Sequence, residues 1–454
     1  MSDNWSEKLA LRLKRARLIL HTEGWHGLTN RVMKKAKLSQ GSMQSFQPVR
    51  IQPTRPVPYS GPKLGREKIC EKLDSSLNEG PAVITLSQDD FSQYVGGVQK
   101  VVTAELAALR TNQQHMLHLF PYGNGTMLAN DSDQPVLGLS VDGEKIGYCE
   151  SSELLAAIKE LGAGRFEELR IHHTMGHSLN FIGQLIATQA ARQTIFWVHD
   201  FFTICPGYFL LRNDLEYCGA PGIQSNACQI CRYGAERQRH LAEFKRFFEA
   251  VQLKVIAPSQ FALDLWTKTY PTPEWQKSVR PLAHLEWQPP LPVSGAKEVI
   301  RVAFVGRPVF HKGIQVWLRL TESFKEDDRY QFFLAASDHI KSKAFSQIKP
   351  ERKEAGQDGM LDALWENKVD VAILWSLCPE TFSFTLYESL AAGCFIITNK
   401  NSGNIQTFLA DHPGHGLVLE NEEQLHDLLE SGELITQVKA YQRAGIPQAN
   451  LILN

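Results

Sequence analysis

Long apolar runs are missing from this chain of 454 residues: none approaches the ~18 needed for a membrane-spanning helix. Net charge is missing too. Lys and Arg number 48 against 49 Asp and Glu, leaving −1, so no overall field draws the chain to nucleic acid or to an anionic bilayer, and no nucleic-acid partner is expected. The opening MSDNWSEK lacks the basic and apolar pattern of a secretory signal, and only four of the eight cysteines are grouped. A secreted disulfide framework is therefore not expected, and the expected location is the cytoplasm.

What is present is enough length for two substantial α/β domains with extensions. In residues 1–50, Trp5, Leu9, Leu13, Ala16 and Leu20 share one helical stripe with Lys8, Arg12, Lys14 and Arg15 largely off it; a second stripe begins at Trp25. This reads as a basic amphipathic helical extension. Its residues 1–37 are suited either to peripheral contact at the inner face of a membrane or to packing on protein, including another subunit. Residues 51–80, rich in proline, read as a linker. A first Rossmann-like domain is expected over 81–284, a linker over 285–299, a second Rossmann-like domain over 300–436 and a tail over 437–454.

The most informative stretch is DVAILWSLCPETFSFTLYESLAAGCFIITN, residues 370–399. VAILW suits a buried strand, Cys378-Pro379 breaks it, Phe382 to Ala392 carries helical spacing, and CFIIT suits a second buried strand. In such a unit of a parallel sheet, ligands bind at the carboxyl ends of the strands, and a helix N-terminus there favours an anion. Glu380 sits in the loop, and Glu388 two turns further on if the helix begins near Thr381. Upstream, VAFVG delivers Gly306 and Arg307 to a strand end, and Lys312 opens the next helix. Two cations beside a helix start can neutralise a diphosphate without a metal.

Glu-x7-Glu within PETFSFTLYESLAAG, together with GRPVFHKG, resembles the signature of retaining glycosyltransferases of family 4. The resemblance runs over about residues 80–430. It implies a B-type fold, two Rossmann-like domains facing across a cleft, and transfer of a sugar from a nucleotide diphosphate sugar to a glycan or lipid-linked acceptor in polysaccharide biosynthesis. Arg307 and Lys312 would then hold the diphosphate beside Gly306, Glu380 the sugar hydroxyls, the backbone of Phe382 and Ser383 the phosphate or sugar, and Glu388 the ribose. No catalytic metal is expected. Gly96-Gly97, leading into a helix, matches the family's glycine-rich loop, and either His172 or His173, at the end of EELRIHH, would shape the sugar site. His199-Asp200 ends a further strand on the same side. A nucleotide-sugar epimerase of the same architecture and a noncatalytic partner subunit remain as alternatives.

Cys205, Cys218, Cys228 and Cys231 are separated by twelve, nine and two residues. The final Cys-x2-Cys lets two thiolates reach one tetrahedral metal, and four would make a closed structural zinc site. Reduced free thiols or a redox pair are the other readings.

Overall fold

Alternating buried strands and amphipathic helices leave the chain one economical arrangement, parallel sheets with helices on both faces. The computed structural model describes residues 61–453 apart from 78–79, 95, 123–125, 131–134, 292–298 and 352–358. The expected helical extension over 1–50 lies outside the described residues.

The first sheet has eight strands, in spatial order Lys277–Val279, Lys254–Ala257, Ala191–Trp197, Phe166–Ile171, Ala82–Leu86, His115–Pro121, Val136–Val141 and Glu144–Glu150. The first six run parallel; the last two add antiparallel at one edge. The second sheet is parallel throughout, in the order Ser346–Ile348, Tyr330–Ala335, Ile300–Val305, Val371–Ile373, Phe395–Asn399 and Gly416–Leu419. Numbered along the chain this is 3-2-1-4-5-6, the doubly wound order whose switch point lies between Ile300–Val305 and Val371–Ile373. The two Rossmann-like sheets are thus as expected.

Strands buried on both faces demand nearly unbroken apolar sequence, which VITL, AFV, VAI and FII supply. One apolar cluster joins the two sheets, combining Ile195, Trp197 and Ile256 with Phe382, Leu386 and Ile405. The sheets therefore meet through a dry interface as well as a polar one.

Three boundaries differ from expectation. The segment read as a linker over 51–80 contains a helix, Arg66–Leu77, whose Ile69, Leu73 and Leu77 are buried in the first core. These apolar positions at spacing four outweigh the prolines upstream. The linker read over 285–299 starts inside a strand, Ala283–Leu291, and the tail from 437 continues a helix, Glu433–Arg443, into a strand, Ile446–Leu453. Those two strands pair antiparallel, Ala283 opposite Leu453, a partnership too distant along the chain for local pattern to reveal.

The first sheet buries neutral histidines. His118 Nε2 meets the Ser87 hydroxyl at 2.8 Å, and His177 Nε2 donates to the Ser87 carbonyl at 2.7 Å. Burial lowers His118 to about 3 and His177 to about 4. Below about pH 6.5 the unfolded chain therefore takes up protons that the native state refuses, so their stabilisation is complete above that pH and lost as pH falls towards the native values. Urea unfolding measured between about pH 7 and about pH 4 is expected to show stability falling by up to about 1.4 kcal/mol per pH unit for each histidine, less so in His118→Gln.

Candidate active site

Chain direction places every strand end that matters on one side. After Ile300–Val305 comes Gly306, at φ +111, a conformation that favours glycine; an added Cβ would sit 3.3 Å from the Thr385 methyl. The next turn, Phe310–Lys312, carries Lys312 to the carboxyl edge, and after Val371–Ile373 the chain delivers Ser376, Cys378 and Glu380 to the same place.

There a cluster forms around one carboxylate oxygen. Lys312 Nζ donates to Glu380 Oε1 at 2.5 Å, and Ser376 Oγ donates to the same atom at 2.7 Å. Among the described residues Glu380 Oε2 receives no hydrogen bond, so this oriented carboxylate keeps one oxygen available. The Lys312 side chain is 37 % exposed and that of Glu380 11 %. Burial opposes the Lys312 charge, but the Glu380 carboxylate outweighs it and the ammonium pKa is raised. Behind the pair, burial pushes the Cys378 thiol up to about 12 and, with Lys312 and Arg307 adding to it, lowers His311 to about 3. The neutral His311 ring stacks on Phe209 with centroids 3.9 Å apart.

Backbone geometry holds Glu380 in place. Its N–H donates to Ser402 O at 3.2 Å and its carbonyl accepts from Asn404 N at 2.8 Å, while Asn399 Nδ2 donates to Ser376 O at 2.7 Å. Gly403, at φ +65, allows this approach, since a Cβ there would lie 2.7 Å from both Glu380 N and O.

The helix begins later than its sequence suggests. It spans Phe384–Ala391, with Ser383 as N-cap accepting from Leu386 N, so Glu388 lies about one turn in. Pro379 and the bridge from Glu380 to Gly403 keep residues 380–382 out of the helix. Phe382 turns inward and stacks on Tyr387 with centroids 4.6 Å apart.

Glu388 and Glu380 engage different cations. Glu388 Oε1 lies 3.5 Å from Lys100 Nζ, which also sits 5.2 Å from the Phe384 ring centroid. Lys100 went unnoticed in the sequence; its signal was a cation one turn into the helix that follows Gly96-Gly97. That helix, Gly97–Thr111, points its start at the second sheet. Gly96 is extended and a Cβ there would meet only the Gln99 side-chain end, while nothing lies within 4 Å of a Cβ at Gly97. Arg307 stands apart from the Lys312 cluster, 73 % exposed and 3.4 Å from Asp338.

The two histidines separate by environment. His172 is fully enclosed, with Nδ1 2.9 Å from His199 Nε2 and Nε2 3.0 Å from Glu105 Oε2; Arg170 lies 3.5 Å beyond. Burial drives Glu105 up, but His172 and Arg170 more than reverse this, and burial lowers His199 well below its ordinary value. His173 Nδ1 accepts from Met175 N at 3.0 Å, so Nε2 carries the proton it gives to Asp200 Oδ2 at 2.9 Å. The Asp200 side chain is 30 % exposed, against 6 % for His173.

The halves meet at one point in particular. Thr381 Oγ1 donates to the His199 carbonyl, and Ser259 Oγ donates to Thr381 O at 2.7 Å. Glu380 and Asp200 therefore flank a direct hydrogen bond between the two sheets.

The four grouped cysteines line one small cavity, of about 20 Å³, beneath the loop that carries Phe209. Burial pushes the Cys205 thiol up to about 12.

No known protein-family profile matches the chain, and no curated protein matches it. Among solved structures it is similar to sucrose-phosphate synthase from Thermosynechococcus elongatus, at 15% identity and TM-score 0.48, covering 81% of this chain and 95% of that one. It is also similar to WaaG, a glycosyltransferase involved in lipopolysaccharide biosynthesis, at 13% identity and TM-score 0.46, covering 80% and 94%. The pneumococcal O-GlcNAc transferase GtfA, solved with UDP and GlcNAc, gives 10% identity and TM-score 0.48, covering 81% and 95%. At these values the superpositions carry no weight, and the two-sheet architecture stands on the chain's own topology.

Gly403→Ala tests the frame of the site. Forcing a Cβ into the left-handed region against Glu380 is expected to cost about 1–3 kcal/mol, measured by chemical denaturation, and to disturb the Glu380 loop first, seen as faster amide exchange at residues 380–404.

Proposed function

We propose that this chain is a glycosyltransferase that moves a sugar, with retention of configuration, from a nucleotide diphosphate sugar to a glycan or lipid-linked acceptor. The single observation that carries the reading is the juxtaposition across the Thr381–His199 hydrogen bond. On one side stands a carboxylate held by a lysine at the switch point of a doubly wound sheet; on the other stands the half-buried carboxylate of Asp200. A fixed cation for a leaving diphosphate and carboxylates for sugar hydroxyls meet where two strand-end surfaces converge.

Lys312 would turn from Glu380 to the diphosphate when donor binds, and Arg307, free to swing at the surface, would add a second charge. Glu380 Oε2 would accept from sugar hydroxyls, with Ser376 keeping Oε1 in place. Glu388 would face the ribose, and Lys100 would lie between that carboxylate and the first sheet. The cleavage is a front-side displacement. The bond from anomeric carbon to phosphate oxygen breaks with its electron pair going to the phosphate, the acceptor oxygen bonds to the same face, and the acceptor proton passes to the departing phosphate. Asp200, steadied by His173, would orient sugar or acceptor hydroxyls. His172 is enclosed and would act only through its neighbours.

The family 4 assignment and a place in surface polysaccharide assembly rest on the motifs PETFSFTLYESLAAG and GRPVFHKG. No helix among the described residues is long and apolar enough to cross a membrane. Any peripheral membrane or subunit contact through residues 1–37 lies outside the described residues.

The test is a panel of nucleotide diphosphate sugars, read by thermal stabilisation and by slow donor hydrolysis. One donor is expected to stabilise the protein, and Lys312→Ala or Glu380→Gln is expected to lower turnover about 100- to 1,000-fold. Conversion of the donor sugar to its epimer without acceptor would identify an epimerase instead. Binding without turnover under any acceptor would identify a noncatalytic subunit, and no binding by well-folded protein would remove the donor site altogether.

A further inference from the structure

Cys205, Cys218, Cys228 and Cys231 come from separate turns of the 205–231 loop and still converge on one cavity. Gly219 takes φ +70 between Cys218 and Ala220. Cys228 and Cys231 close a turn through Cys231 N to Cys228 O at 3.1 Å, and Gly234 opens the following helix against the Cys228 carbonyl, where a Cβ would sit at 1.9 Å.

A second observation points to negative charge in the cavity. Arg237 is only 4 % exposed, with Nε on the Ile204 carbonyl at 3.0 Å and Nη1 on the Pro221 carbonyl at 2.7 Å and on Cys228 Sγ at 2.9 Å. Among the described residues no carboxylate reaches it. A guanidinium keeps its proton, and a buried cation without a counter-charge is costly. Neutral thiols and disulfides supply no such charge. Four thiolates around a divalent ion leave a net charge of −2, which Arg237 would partly neutralise.

We propose that these four cysteines bind one zinc ion, with Arg237 as the charge partner of the thiolates, and that this ion holds the loop whose Phe209 lies against His311. Zinc suits four thiolates because it is redox-inert and readily tetrahedral. Zn–S bonds of about 2.3 Å place the sulfurs about 3.8 Å apart. Among the described residues the one set of three ligand atoms within 4.8 Å is His426, Asp427 and Glu430, so the sulfurs must draw inward to coordinate, and the small cavity between them is the space that closes. The neutral His311 ring, one residue from Lys312, then has a wall whose position the ion fixes.

The experiment is metal analysis of the full chain purified under reducing conditions, with zinc counted by mass spectrometry and cobalt exchanged into the protein. The expected result is about one zinc per chain and, with cobalt, the sulfur charge-transfer absorption of a tetrahedral thiolate site. Cys228→Ser is expected to lose the ion. Should that variant fold poorly, Arg237→Gln keeps all four ligands and is expected to bind zinc about 10- to 100-fold more weakly. Folded wild-type protein that takes up no zinc, zinc kept by Cys228→Ser, unchanged affinity in Arg237→Gln, or disulfides among the four cysteines would each overturn the proposal. These readouts do not depend on glycosyl transfer, so their failure is distinct from failure of that reading.

Discussion

The pairing of Glu380 with Gly403 is the constraint on which the rest of the site depends. Two backbone hydrogen bonds fasten the strand-end loop to the start of the helix Asn404–Asp411, and only a residue without a side chain fits between them. From that fixed loop Glu380 turns one way to Lys312 and Ser376, while Thr381 turns the other way to His199. Orientation of the carboxylate and docking of the two sheets are thus consequences of one local geometry. A looser loop would blur both, since a carboxylate with one oxygen pinned is useful only while its backbone stays still.

Electrostatics follow the same division of labour. The second sheet contributes a cation and a carboxylate that neutralise one another. The first sheet contributes Asp200, backed by a histidine whose both nitrogens are already engaged. His172, His199, Glu105 and Arg170 extend this polar layer inward beneath the surface.

Much of this could be read from the sequence where chemistry and local pattern coincide. The strands at 371–373 and 395–399 and the break at Cys378-Pro379 follow from apolar runs and a helix breaker, whereas the pairing of Lys312 with Glu380 emerges only in the structure. The helix start was misplaced by three residues or so because Phe382 keeps helical spacing yet is spent on stacking against Tyr387. The different partners of His172 and His173, both buried, depend on packing between strands, and Lys100 meets Glu388 only when two sheets are brought together. Neither is a property of any local stretch. The helix Arg66–Leu77 was legible from its spacing of four and was obscured by the prolines before it.

The ribbon formed by Ala283–Leu291 and Ile446–Leu453 bears on how the two halves relate. The chain crosses from the first sheet to the second through one of these strands and returns to it through the other, and Leu285, Leu451 and Leu453 pack beside the Phe384–Ala391 helix in the shared apolar cluster. The halves are consequently interlaced rather than strung in series. A cut at the crossover would not release two self-sufficient modules, because each would carry away one unpaired edge of the ribbon.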